Sequence, residues 1–563
     1  MAWERVKAGA LSCLLFSWLL LWTAIPALAA QPSQPSSPAP ASRTATPLLQ
    51  RIVLTPEEKL PSDSDLAGPP GIDSTRLPTL PPRIVDTLQS KFLGRPLSPR
   101  LAEAVRLAVQ DGYESATRPF VNVTIPLQAG PAGVLEVVVS EHRLGRIRVE
   151  GNVWFDKAQY SNAIRIRPGD PIDTTTLYAD TNWLNRNTYR HADLLVAKGA
   201  QSTDDVIIRV RDKLPLTFQF GADNTGTPTT SLYRLSTTIN WGNAFWRGDN
   251  LAYTFIASPD FNKLREHVLI YTADLPWRDT LSLTGIIADS HGDPVGEFST
   301  DGHTDILSLR YTTALPSSAR FVQHLSFGFD YKSTNTNTLS GGGAVFPTTS
   351  EIDQFVGEYG GQLADRLGIT GVLLDVVGSP GEMSPMNTNA AFAVQQPGAS
   401  ANYVYGRLTI DRLTKLPWQL SLSTRLTAQL SDAVLLPSEQ LPFGGVQSVR
   451  GFVDYGATRD EGVLLQTELR APAFHTSLPQ LLHLGGGEDA IVPFLFVDAG
   501  VGGNHMAVAG MPDSWLELIS IGPGVTWQFA RYGALRFTWG SALVRRGQTG
   551  PLLGPQFGVQ IVF

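Results

Sequence analysis

The chain is almost without cysteine: Cys13 is the only one in 563 residues, and it lies inside the N-terminal apolar run. If that run is removed on export, no thiol remains, which excludes disulfides, zinc–thiolate sites and a cysteine nucleophile. Charge is scarce as well, 17% of residues against about 25% in an ordinary soluble domain, which argues against a coiled coil or a long charged helix. There is no basic excess: 44 Lys and Arg face 51 Asp and Glu, for a net charge of −7, so the electrostatic footprint of a nucleic-acid binder is missing. Long apolar runs are missing beyond the first thirty residues. With a mean hydropathy of −0.03, a bundle of membrane helices is excluded, because each span needs ~20 apolar residues. The sequence also has no G-x-S-x-G, no H-E-x-x-H and no phosphate-cradling glycine loop. Its nine histidines (His142, His191, His267, His291, His303, His324, His475, His483 and His505) are scattered without metal-ligand spacing. No enzymatic activity, metal or cofactor is expected.

What is abundant is turn chemistry, with 52 Gly and 40 Pro, the composition of a large β structure. Arg5 and Lys7 precede an apolar stretch from Ala8 to Ile25, followed by Ala27, Leu28 and Ala29 in a small-x-small pattern. Residues 1–29 therefore read as a secretory signal peptide. Residues 30–47 carry five prolines among Ser, Ala and Thr and read as an extended linker.

Residues 48–143 and 144–213 each read as a small β-α-α-β-β module, an internal repeat. In the first, Arg51–Leu54 is a strand, and Ile84, Val85, Leu88 and Phe92 recur at helical spacing. Ser98 caps a second helix with Pro99 at its first position and Gly112 just past its end. Two alternating strands follow, Val121/Val123/Ile125/Leu127 and Leu135/Val137/Val139. In the second module, strands 146–152, 192–197 and 205–211 frame helices at 156–165 and 174–187.

From residue 214 to 563 helical periodicity disappears. Sixteen alternating segments begin near residues 216, 233, 251, 264, 280, 303, 321, 351, 368, 402, 418, 462, 491, 515, 533 and 555. The clearest, Trp418–Ser431, places Trp418, Leu420, Leu422, Leu426 and Leu430 on one face and Gln419, Ser421, Ser423, Arg425 and Gln429 on the other. An even number of such strands, with short turns opposite long loops at 336–350, 379–400 and 433–461, predicts a closed 16-stranded antiparallel transmembrane β-barrel. Trp246, Trp277 and Trp418 mark the short-turn end, where an aromatic girdle belongs. The long connection 474–490 falls on the side expected to be short.

Particular runs carry a family likeness. Val149-Glu150-Gly151-Asn152 followed by Phe155 looks like the first strand and turn of a polypeptide-transport-associated (POTRA) module. Trp183-Leu184-Asn185-Arg186-Asn187 and the run from Phe220 to Gly226 resemble a module-to-barrel junction. Loop 433–461 contains Val449, Arg450, Gly451 and Phe452. The chain thus resembles the two-partner-secretion outer-membrane transporters, the hemolysin secretion/activation proteins, over nearly its whole mature length. The resemblance implies that loop 433–461 folds back into the barrel and that its arginine meets an acidic residue of the wall. The matching wall motif is Phe496, Asp498 and Gly500, which alternation puts on one face, opposite Leu495, Val497 and Ala499. Glu468 and Arg470, on a lumenal face, extend that network. Phe563 resembles the terminal aromatic read by barrel-assembly machinery.

The resemblance further implies an outer-membrane translocase with its POTRA modules in the periplasm. The modules capture a large unfolded exoprotein and the barrel secretes it; outer-membrane lipid and the assembly machinery are the other partners, and nucleic acid is not one. An assembly insertase is the first alternative, although such relatives carry more modules than the two counted here. A passive porin or surface adhesin is the second. Some relatives plug the pore with an N-terminal helix. Residues 31–47 are too proline-rich for one, so either residues 55–68 supply it or loop 433–461 closes the pore alone.

Overall fold

A computed structural model describes residues 47–56, 68–126, 133–200, 203–295, 298–340, 343–476, 489–505, 515–547 and 551–563. Residues 1–46, read from sequence as a signal peptide and linker, and most of the 55–68 stretch weighed as a plug lie outside these residues. No described helix is long and apolar enough to cross a membrane.

The first module centres on the strand Arg51–Thr55, parallel to Gly71–Asp73 on one side and to Val134–Glu141 on the other, with Val121–Thr124 antiparallel at the far edge. Helices Pro82–Lys91 and Pro99–Ser115 cover one face, and Ile52, Ile84, Leu88, Val105, Val109 and Val137 are sealed between the layers. Ser98 accepts the Leu101 N–H and starts the second helix. Gly112 does not end that helix but lies within it: a Cβ there would fall 2.4 Å from Ile84 Cγ1. It lets the two helices touch. Gly71–Asp73 adds a strand to the expected order. Three residues are too short to show alternation, and this strand is held by Arg51, which pairs with Asp73 at 2.6 Å.

In the second module Thr203–Asp212 is central, parallel to Arg143–Glu150 and antiparallel to Arg190–Lys198. Helices Lys157–Ser161 and Thr174–Leu184 are shorter than the sequence suggests, and both endings have a cause. The first stops because the Arg165 N–H goes to the Asp180 carboxylate and not to the helix. The second stops where the Asn185 amide bonds Ala192 N–H and C=O, turning the chain into the next strand. A joint connects the modules, with the Thr117 hydroxyl donating to Asp173 at 2.9 Å and the Thr174 N–H to the Thr117 carbonyl.

The rest is a closed antiparallel barrel of sixteen strands. In order these are β1 Leu216–Asp223, β2 Arg234–Ala244, β3 Asp249–Ala257, β4 Leu264–Asp274, β5 Thr280–Val295, β6 Phe298–Ala314, β7 Phe321–Ser340 and β8 Gly343–Ala364. Then come β9 Gly368–Pro380, β10 Asn402–Lys415, β11 Ser421–Ser431, β12 Glu461–Arg470, β13 Ala490–Gly503, β14 Leu516–Phe529, β15 Gly533–Trp539 and β16 Pro555–Val562. β15 breaks at Gly540 and resumes as Ser541–Arg546, still paired to β14. β16 closes the seam on β1, from Gly558↔Asp223 to Val562↔Gln219.

Three details differ from the sequence reading. The segment expected as a loop at 336–350 is the top of a long β7–β8 hairpin, paired through Asn337↔Pro347 and Thr334↔Ser350. Its Thr- and Asn-rich strands keep the ladder without needing a greasy face. The alternation from Trp418 overruns its strand, because Pro417–Gln419 is a 3₁₀ turn with Trp418 at φ +59°. Of the connection 474–490, residues 477–488 lie outside the described residues; its stems are joined by the Phe474–Ile491 bridge.

Candidate functional site

Loop 433–461 runs back into the lumen as a small hairpin, Leu441–Phe443 against Ala457–Arg459, and places Arg450 against the wall. The Arg450 guanidinium donates from Nε and Nη2 to the two Asp498 oxygens at 2.7 and 2.6 Å, and from Nη1 to Glu468 at 2.6 Å. Its backbone N–H adds a bond to Asp498 at 3.1 Å. The plane of the fork lies over the Phe496 ring, 3.8 Å from the centroid. Arg450 is 1% exposed and Asp498 0%. Planar, bidentate pairing of this kind fixes direction as well as distance. Glu468 is held in turn by Arg470 at 2.6 Å and by Arg536 of β15. Arg536 was not singled out from the sequence. Alternation puts it on the lumenal face, but only the register of β15 brings it to Glu468. A cavity of about 260 Å³ remains beside this cluster, lined in part by Asp411, Arg425, Gln447 and Gln466.

Apolar contacts seat the same loop. Phe443, Val449 and Phe452 are buried with Leu464, Leu516 and Leu518 of the wall. Gly500 belongs to this packing: a Cβ there would fall 3.0 Å from the Phe443 ring, and one at Gly502 would fall 2.6 Å from it. The wall is flat where the ring lies. Gly451 takes φ +90°, open to glycine at little cost. It abuts the break in β15, where a Cβ on Gly540 would come 2.4 Å from Gly451 N. Gly451 and Phe452 then pair antiparallel with Leu552 and Leu553 just before β16.

Nearer the loop's base, Glu439 accepts from Lys332 at 2.6 Å and from the Tyr405 hydroxyl at 3.0 Å. Asp460 accepts the Leu435 N–H, the Gln440 amide and the His505 N–H. Neither carboxylate stands in a recognisable motif; both are readable only once the loop is inside. The connection 379–400, with helix Asn389–Gln395, packs Phe392 against Leu435, Leu436 and Tyr403.

With this geometry in view, the sequence was compared with known proteins. It matches the haemolysin secretion/activation proteins ShlB/FhaC/HecB over residues 202–341 and 385–526, just over half of the chain. The chain belongs to this family. Among solved structures it is similar to CdiB from Escherichia coli, with a TM-score of 0.70 and 17% identity, covering 94% of this chain and 93% of that one. It is also similar to CdiB from Acinetobacter baumannii, with a TM-score of 0.63 and 14% identity over 93% and 91% of the two chains. At such identities the likeness speaks for the fold alone, two small α/β modules followed by the barrel. No curated protein sequence matches. The family consists of two-partner-secretion transporters of the outer membrane, and its activity is protein secretion by way of the barrel with a large exoprotein as partner.

In this transporter Phe563 is remote from the lumenal cluster. It extends the seam, exchanging backbone hydrogen bonds with Phe218 at 2.8 and 3.2 Å and meeting the Phe220 ring edge-on. Asn224 clasps the same seam: its side chain donates to the Pro555 carbonyl at 2.9 Å and accepts the Phe557 N–H at 2.8 Å.

The second module is welded to the short-turn end of the barrel. Arg278, in the β4–β5 turn, donates to the carbonyls of Ala163 and Ala179 and to Asp180 at 2.6 Å. Asp180 is fully buried and is also paired with Arg165. Asn187 donates to the Gly242 carbonyl at 2.6 Å, and Tyr189 lies so close to Gly242 that no side chain would fit there.

Proposed function

We propose that this transporter takes hold of its unfolded partner at the second module and passes it through the lumen, with loop 433–461 as the element that lines and closes the path. In this reading residues 48–143 and 144–213 are POTRA modules in the periplasm, and residues 214–563 are the barrel. The observation that carries capture is the Arg190–Lys198 strand. It is nine residues long, lies at an edge of its sheet and pairs only with Thr203–Asp212 among the described residues. Such an edge accepts an extended chain through backbone hydrogen bonds, so it demands little of the partner's sequence. The edges of the first module, Gly71–Asp73 and Val121–Thr124, are three and four residues long and offer much less. Arg450 with Asp498 holds the loop in register, and Glu468, Arg470 and Arg536 tie that anchor to two further strands. Barrel-assembly machinery reads Phe563 during biogenesis, and outer-membrane lipid surrounds the wall. Folding of the partner outside supplies the drive.

Deleting residues 48–212 tests capture. The shortened chain should still insert as a heat-modifiable barrel and lose binding to the N-terminal region of its exoprotein. Undiminished binding by the module-less chain would move capture to the barrel.

A further inference from the structure

The second module presents an exposed apolar tip beside the short-turn end of the barrel. In the loop from Gly151 to Phe155 the Asp212 carboxylate accepts the N–H groups of Val153, Trp154 and Phe155 at 3.0–3.2 Å. The Asn152 amide donates to the Phe155 carbonyl at 2.9 Å, and Gly151 takes φ +85° against the Val210 carbonyl. Backbone polarity is thus satisfied internally, while Val153 is left 75% and Trp154 47% exposed. Barrel residues stand beside this tip. The Asn243 amide donates to the Trp154 carbonyl, and the Gln159 amide to the Trp246 carbonyl. In that β2–β3 turn Phe245 and Trp246 are 54% and 75% exposed and hold φ of +54° and +56°. Bulky residues rarely adopt that region, so the turn holds these two exposed rings on an unfavourable backbone.

Between the tip and the barrel is an apolar groove of about 540 Å³, lined by Trp154, Leu214, Leu216, Ile239, Trp241 and Trp246. Its occupant follows from where it opens. Leu216, Ile239, Trp241 and Leu251 share the outward face of β1, β2 and β3, paired as Leu216↔Trp241 and Leu251↔Trp241. Their neighbours Thr217 and Asn240 point inward, where both meet the Tyr189 hydroxyl. The groove is therefore continuous with the surface that touches acyl chains. The neighbouring Arg247, 3.9 Å from the Asp249 carboxylate, is 74% exposed in its side chain and offers a cation beside the groove. Tryptophans with one apolar and one wet side favour the membrane–water boundary.

We propose that the Gly151–Phe155 loop, together with the β2–β3 turn, is a membrane foot. It seats the second module in the bilayer leaflet on the module side, with a phospholipid acyl chain in the groove. The orientation of the capture strand is then set by the membrane plane as well as by the weld to the barrel.

The test uses the full chain with Cys13→Ser, spin-labelled at Val153→Cys and reconstituted in phosphatidylethanolamine/phosphatidylglycerol nanodiscs. Glu103→Cys, on the exposed helix of the first module, is the aqueous control. Collision with oxygen and with a water-soluble nickel chelate is then compared. The foot predicts several-fold more oxygen than nickel collision at 153, the reverse of position 103. The same readout at Trp246→Cys gives a second, independent position. Nickel access at 153 equal to that at 103 overturns the proposal. Low access to both reagents also overturns it, because the loop would then be buried against protein.

Discussion

Arg450 uses all its guanidinium nitrogens on two carboxylates, and the aromatic face of Phe496 lies beneath them. Removing the side chain leaves Asp498 fully buried without its main partner, and stranding one member of a buried pair costs about 3–5 kcal/mol. That energy belongs to the placement of the loop and not to the lipid-facing wall. Arg450→Ala should therefore assemble as a barrel, shown by heat-modifiable migration, and secrete several-fold less exoprotein. Arg450→Lys should recover only part, since an ammonium cannot form the fork. In a double-mutant cycle with Asp498→Ala the defects should be strongly less than additive. Wild-type secretion by an inserted Arg450→Ala chain would remove the residue from the mechanism. At this scale the sequence is most legible where alternation meets a short motif: Asp498 and Phe496 share a face two positions apart, whatever the loop does. Arg536, Glu439 and Asp460 stand in no recognisable motif. Their most distant partners are 68, 107 and 45 positions away in the chain, set by barrel register and loop entry.

Elements were legible to the extent that their signal is periodic. The barrel strands follow their apolar alternation closely, while the β7–β8 hairpin reads as a loop because above the membrane it has no greasy face to show. Gly112 reads as a helix stop because its role, contact with Ile84, belongs to the packing of two helices. The joint between the modules adds a pH dependence that sequence could not supply. Burial raises the Asp173 carboxyl, but the Thr117 hydroxyl and the N–H groups of Thr175 and Thr176 outweigh it and hold it below the usual carboxylate value. A depressed native value means the joint is stabilised at neutral pH, and the contribution is lost as pH falls below the ordinary carboxylate value and through the native one. Distances between spin labels on the two modules should be narrowly distributed at neutral pH and broaden on acidification. Asp173→Asn should remove that pH dependence. A width unchanged by acid in the wild type would place the rigidity of the joint elsewhere.

The whole molecule is two α/β modules and a closed barrel, with loop 433–461 seated in the lumen and the second module joined to the short-turn end. Sixteen strands were countable from sequence because each must match a membrane of fixed thickness. The inward fold of loop 433–461 was legible only through the resemblance carried by Val449, Arg450, Gly451 and Phe452, since composition and spacing alone make it look like any other long, Gly-rich connection. The pore's closure carries its own expectation. If loop 433–461 closes it without an N-terminal plug, deleting the loop should sharply raise conductance in planar bilayers, and removing residues 31–70 should change it little. A wild type silent until those residues are removed would mean that a plug exists. The central claim, passage of the partner through the lumen past the anchored loop, is tested most directly by photo-crosslinking during secretion. An exoprotein stalled by a folded C-terminal fusion would be probed from Asp411, in the wall of the cavity beside Arg425, and from Leu495, 60% exposed on the opposite face of the wall. The account predicts a strong adduct from 411 and none from 495. Adducts from 495 with none from 411, while secretion continues, would contradict it.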